Sequence, residues 1–250
     1  VATDENFVLP TATTLRSLSR HGVGAPLQIW VLCTGVTQQS MNTIQDSLIA
    51  GDHQINWIDM ADADLGDTSK STLGKGTYLR LALGEALPAY VDCVLYMDVD
   101  MLVADSLAPL WDLPDGGEVA WAVRSVHYPS LCTYGAMDHW PELGLEPRAP
   151  YFNAGLMKIN LARWREFDIG QKALAHLASP LANGALADQE GLNVVLAGRF
   201  GELEPRWNQQ TPLLENNRGA ELLYPDEVLK DARDNPAVIH FLSRPKPWHR

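Results

Sequence analysis

The segment "YMDVDMLVAD", residues 96–105, sets two carboxylates, Asp98 and Asp100, one residue apart after the apolar run Val94, Leu95, Tyr96 and Met97. Two like charges at the end of a buried strand repel one another and resist desolvation unless a cation lies between them. Residues two apart on an extended chain point the same way, so both carboxylates face one ligand. Hard carboxylate oxygens suit Mn²⁺ or Mg²⁺, and those ions grip phosphate oxygens in turn. Three chemistries share this acidic pattern. A calcium loop of the EF-hand type is excluded, because Leu102 and Val103 stand where a further oxygen ligand and a glycine are required. A haloacid-dehalogenase-like phosphatase would use Asp98 as nucleophile and Asp100 as acid/base, but it expects Thr or Val where this chain has Leu102. It also expects the motif early in the chain. A nucleotide-sugar transferase would use the same pair to hold a metal on the donor diphosphate.

The pair needs a scaffold that ends a buried strand at the right place. "PLQIWVLCTG" (26–35) and "HQINWIDM" (53–60) read as strands, and "TQQSMNTIQDSLIAG" between them has helical spacing at Met41, Ile44 and Leu48. Ahead of this unit, "PTATTLRSLSRHG" (10–22) reads as a helix with Pro10 near its start and Gly22 at its end. After it, "KGTYLRLALGEALPAY" reads as one helix stopped by Pro88, and "DCVLYMDVD" as the next strand. Strands alternating with helices imply an α/β chain with a mostly parallel sheet covered on both faces. Ligands of such sheets bind beyond the carboxyl ends of the strands, which is where Asp98 and Asp100 fall.

The second half is less regular. "EVAWAVRSV" and "APYFNAGLMKIN" read as strands, "LARWREFDIGQKALAHLA" and "DQEGLNVVLAG" as helices, and "GELEPRWNQQ" as a short strand entering a loop. Two long loops, 124–150 and 208–228, are the places to expect acceptor recognition.

The bulk numbers narrow the classes. With 250 residues, 46% of them hydrophobic, the chain buries a sizeable core and reads as one domain, 1–250, trimmed at both ends. A formal net charge of −12 argues against nucleic acid and against anionic membrane contact through this region. Cys33, Cys93 and Cys132 lie in or near apolar segments without paired spacing, as reduced core thiols in a cytoplasmic protein do. Membrane association would come from a segment outside this sequence.

Five blocks carry a family resemblance: "YLRLALGEALPAYVDCVLYMDVDMLVADSLAPLWDL" (78–113), "YFNAGLMKINLARWR" (151–165), "ADQEGLNVVL" (187–196), "RWNQ" (206–209) and "VIHFLSRPKPWHR" (238–250). In this order they resemble the retaining glycosyltransferases of family 8, above all the bacterial lipopolysaccharide galactosyltransferases and glucosyltransferases, with glycogenin a more distant relative. The resemblance implies a GT-A fold, a nucleotide-binding αβα sandwich with a mostly parallel central sheet. It implies Mn²⁺, with Mg²⁺ as the alternative, held by Asp98, Asp100 and His240 on a UDP-sugar. It also implies a hexose, galactose or glucose, passed to a carbohydrate acceptor.

Other roles follow from the same resemblance. Lys246 would neutralise the departing diphosphate; standing alone it reads as a solvated lysine before Pro247. His240, after Val238 and Ile239, reads alone as a core histidine, and as a ligand once paired with "KPW". Ser243 replaces a family glycine in the diphosphate loop. Ala2, Asp4 and Asn6 would touch uridine, with Phe7 packing on the base, although Asp4 and Asn6 equally suit turn caps. Val99, between the aspartates, joins the donor contacts. Arg80, Asn153, Asp188 and Gln189 would surround the donor sugar; Asp188 also reads as a helix N-cap, and Asn153 as a backbone partner at a strand end. Gln189 is a poor nucleophile. Retention would then proceed by front-face substitution, with Gln189 and Asp188 stabilising an oxocarbenium-like state.

Overall fold

The computed structural model describes residues 1–51, 53–66, 75–183, 186–214, 218–242 and 245–249. Among the described residues ten strands are formed: β1 (Ala2–Asp4), β2 (Gln28–Thr34), β3 (Gln54–Asp59), β4 (Cys93–Met97), β5 (Met101–Val103), β6 (Ala120–Arg124), β7 (Phe152–Asn160), β8 (Gly201–Leu203), β9 (Gln209–Gln210) and β10 (Val238–His240). The chain divides into two compact units, one of Val1–Ala61, Met97–Pro114 and Glu204–Arg250, the other of Asp62–Tyr96 and Asp115–Leu203.

In the first unit β1, β2 and β3 form a parallel sheet. Helices Val8–His21 and Gln38–Ser47 cover it, and Ala12, Leu15 and Ile44 close a core over Ile29, Val31 and Cys33. The first helix ends as its sequence dictates: Gly22 turns to φ 51°, which glycine adopts without a Cβ penalty, and its N–H donates to Leu18 O. Thr37 caps the second by accepting from Ser40 N. A second sheet runs β5, β10, β9, with β10 antiparallel to β5 and parallel to β9. Its register sets His240 opposite Met101, one residue beyond Asp100.

The second unit holds a four-stranded sheet in the order β4, β7, β6, β8. β7 is buried along Phe152–Ile159, as in a strand covered on both faces, and carries the buried polar residues Asn153 and Lys158 within it. β6 pairs antiparallel with β7 and parallel with β8. The expected α/β class with parallel strands is present; the antiparallel pairs carry no signal in helix and strand alternation.

Three expectations need correction. Residues 75–90 form a 3₁₀ segment, Lys75–Ala82, followed by one α turn, Leu83–Ala86. Tyr78, Leu79, Arg80 and Leu81 are all buried in succession, which an amphipathic α-helix with one wet face does not allow. The stretch 161–178 is two helices, Leu161–Glu166 and Ile169–Leu177, broken where Asp168 turns to φ 52°; aspartate tolerates that region better than most side chains. The expected loop 208–228 contains β9, a 3₁₀ turn Thr211–Leu214 and helix Arg218–Leu223.

Helix Ile169–Leu177 meets the 3₁₀ segment at Gly170, where a Cβ would lie 1.9 Å from Leu81 O. Gly170→Ala must therefore push the two elements apart. Urea unfolding should show a loss of about 2 kcal/mol or more; unchanged stability would contradict the close approach.

Candidate active site

β4 ends at Met97, and the chain turns through Asp98, Val99 and Asp100 before β5 begins. The turn is pinned from beneath by helix Val8–His21, whose Thr14 hydroxyl lies 2.8 Å from Val99 O and 2.7 Å from Met101 O. Phe241, directly after β10, donates its N–H to Asp100 O. These bonds fix both carboxylates beside His240, and ligand atoms of Asp98, Asp100 and His240 all lie within 4.8 Å of one another.

The imidazole is held from behind. His240 is 1% exposed, and its Nδ1 lies 3.0 Å from Asn208 Oδ1. Donation of the Nδ1 proton to that amide oxygen leaves the Nε2 lone pair directed toward the carboxylates, the arrangement that orients a metal-binding histidine. Nε2 stands 3.2 Å from Asp100 Oδ1. That oxygen is buried yet receives no aligned hydrogen bond, so the charges are close without being satisfied. A divalent cation between hard oxygens and one imidazole fits this donor set.

Lys246 is not a solvated lysine. Its Nζ donates to Asp100 Oδ2 at 2.8 Å and also to Phe241 O. Burial pushes the Asp100 carboxyl upward, but His240 and then Lys246 outweigh it and hold the group well below the usual carboxylate range.

The remaining expected residues of this unit are spread over β1 and the turn after it. Ala2 is buried in β1 opposite Leu32, and Asp4 Oδ1 accepts from Asn6 N, so Asp4 does serve as the turn cap. Asn6 and Phe7 are exposed, and Val99 is buried. Ser243 lies outside the described residues.

A second cluster forms in the other unit. Arg80 and Asp188, 5% and 3% exposed, pair at 2.6 Å. The Arg80 guanidinium also donates to Ala154 O and lies 4.6 Å from the centre of the Tyr96 ring. Asp188 is thus no N-cap: Leu186 occupies that position and helix Ala187–Val195 starts ahead of Asp188. Gln189 Oε1 accepts from Asn153 Nδ2 and Ala154 N, both at 3.1 Å, while Asn153 Oδ1 accepts from Gly155 N. Arg80, Asn153, Asp188 and Gln189 are therefore one hydrogen-bonded group.

Two supporting residues escaped the sequence reading. Asn208 sits inside the quoted block "RWNQ" but carries no role there until its contact with His240 is seen. Thr14 is one of three threonines in helix Val8–His21, and nothing in sequence marks the one beneath the aspartates.

Residues 1–250 match the family described as Glycosyl transferase family 8. General stress protein A of Bacillus subtilis (strain 168) is 24% identical over 228 residues, covering 89% of this chain and 77% of its own. Lipopolysaccharide 1,3-galactosyltransferase of Salmonella typhimurium is 27% identical over 181 residues, 69% of this chain and 49% of that protein. The chain thus spans about half the length of several curated relatives, including 52% of the probable galacturonosyltransferase-like 2 of Arabidopsis thaliana. Among solved structures, galactosyltransferase LgtC in complex with donor and acceptor sugar analogues superposes with a TM-score of 0.77 at 26% identity, covering 100% of this chain and 88% of that one. These neighbours are GT-A glycosyltransferases, and the fold is theirs.

The buried Arg80–Asp188 pair has a direct energetic consequence. Arg80→Met leaves a buried carboxylate without its cation and should cost about 3–5 kcal/mol in urea unfolding, with part recovered by adding Asp188→Leu. An Arg80→Met protein of undiminished stability would contradict the pairing.

Proposed function

The chain belongs to glycosyltransferase family 8, and from that premise we propose that it transfers a hexose, galactose or glucose, from a UDP-sugar to a carbohydrate acceptor with retention of configuration. The observation that carries this reading is the cluster of Asp98, Asp100 and His240, with ligand atoms within 4.8 Å of one another at the end of β4. Those three residues hold a divalent ion, Mn²⁺ first and Mg²⁺ as the alternative. When bound, the ion offsets the charge of the donor diphosphate and eases departure of UDP.

The chain's own groups do the rest. Lys246, already within hydrogen-bond reach of Asp100, supplies a further positive charge to the leaving diphosphate. Ala2, Asp4, Asn6 and Phe7 serve the uridine, and Val99 joins them. Arg80, Asn153, Asp188 and Gln189 orient the hexose. Nothing in that group favours a covalent intermediate: Asp188 is buried and paired with Arg80, and Gln189 is a neutral amide whose oxygen already accepts two N–H groups. A front-face substitution, in which the leaving phosphate takes the acceptor proton, requires no enzyme nucleophile. The Asp188 carboxylate stabilises positive charge developing on the sugar. Gln189, whose side chain also hydrogen-bonds the Tyr151 hydroxyl, orients the sugar beside it.

The test is UDP release from UDP-galactose and UDP-glucose, with Mn²⁺ and with chelator, beside UDP titration of the Asp98→Ala and Asp100→Ala proteins. Release should require the metal, and both substitutions should abolish metal-dependent UDP affinity. Undiminished Mn²⁺-dependent affinity in either variant would remove these residues from the metal set.

A further inference from the structure

Helix Ala187–Val195 begins without a side-chain cap: Leu186 provides none, and Ala187 stands at φ 48°, a region that costs a residue with a Cβ about 1–2 kcal/mol. Asp188 and Gln189 follow at once, so the turn that carries both is strained and lacks the usual side-chain anchor. It is held instead from one turn further along.

Asn193 is 1% exposed. Its Oδ1 accepts from Phe152 N at 2.8 Å, and its Nδ2 donates to Phe152 O at 3.0 Å. One amide thus gives Phe152 what a neighbouring strand would give. The same Nδ2 donates to Gln189 O at 2.8 Å. Phe152 directly precedes Asn153, whose Nδ2 donates to Gln189 Oε1. The bonds close a ring: Gln189 is tied by its side chain to Asn153 and by its backbone, through Asn193, to the residue before Asn153.

We propose that Asn193 is a positioning residue for sugar transfer, setting the distance between Gln189 and Asn153 against the strain at Ala187. This rests on the reading that Gln189 acts at the donor hexose. Asn193 reaches no substrate itself; a displacement of about 1 Å at Gln189 is enough to slow transfer on the order of 100-fold.

The experiment uses Asn193→Asp, which keeps the shape and the acceptor for Phe152 N but turns an oxygen toward Phe152 O and Gln189 O. UDP release from UDP-galactose and UDP-glucose should show kcat lowered on the order of 100-fold, with Mn²⁺-dependent UDP affinity unchanged. Protonating the new carboxyl restores one O–H donor, so kcat relative to the unsubstituted protein should rise as pH falls. Packing alone would not produce that recovery. Asn193→Ala, which carries no charge, covers the case in which the buried carboxylate prevents folding; it should be equally slow with no recovery at low pH. Unchanged kcat in a variant shown folded by near-ultraviolet circular dichroism would overturn the proposal, and so would failure of both variants to fold, which assigns Asn193 to stability alone. Gln189→Ala in the same assay separates the two levels: if it turns over normally, the placement of Gln189 at the hexose has failed. If it is slow while folded Asn193 variants are fast, only the positioning role has failed.

Discussion

Asp100 is held where a carboxylate is hardest to keep ionised, mostly buried, beside a second carboxylate and against a buried imidazole. Two unit negative charges no more than 4.8 Å apart repel by about 3.5 kcal/mol or more at an effective dielectric constant of roughly 20. Positive charge is therefore a structural requirement of this corner, and the first unit is arranged to supply it. Lys246 supplies it at Asp100 Oδ2, while the antiparallel pairing of β5 with β10 brings the His240 imidazole alongside and Thr14 holds the intervening turn. Asp98, Asp100 and His240 would hold a divalent ion by the same logic, since such an ion would answer both carboxylates at once.

The second unit solves the equivalent problem differently. There the buried carboxylate of Asp188 meets the Arg80 guanidinium at 2.6 Å, an internal partner with a fixed charge. Each acidic residue thus meets basic side chains, Asp100 those of His240 and Lys246 and Asp188 that of Arg80. In the proposed reading the first site would hold a cation on the donor diphosphate and the second would orient the sugar.

Much of this was legible in sequence where chemistry and local pattern agree. The alternation of "PLQIWVLCTG", the helix after it and "HQINWIDM" is strong, and β2, β3 and their helix stand where the pattern sets them. Asp98 and Asp100 announce themselves because carboxylates are costly after an apolar run. Arg80 was legible only through resemblance, since a charge inside "GTYLRLALGE" reads as exposed until the Asp188 partner, far along the chain, is known. For the same reason Asp188 read as a cap: local rules price an aspartate near a helix start and know nothing of a distant guanidinium. The 3₁₀ winding of Lys75–Ala82 and the break at Asp168 are likewise tertiary outcomes, forced by burial on every side in one case and by a left-handed turn in the other. Asn208 and Asn193 were invisible because an amide's role depends wholly on what faces it.

The most direct measurement is anomalous scattering at the manganese edge from crystals grown with Mn²⁺ and UDP. One manganese peak is expected, in contact with Asp98, Asp100, His240 Nε2 and diphosphate oxygens. A bound UDP whose diphosphate lies elsewhere, or a manganese peak that leaves these three residues without contact, would contradict it.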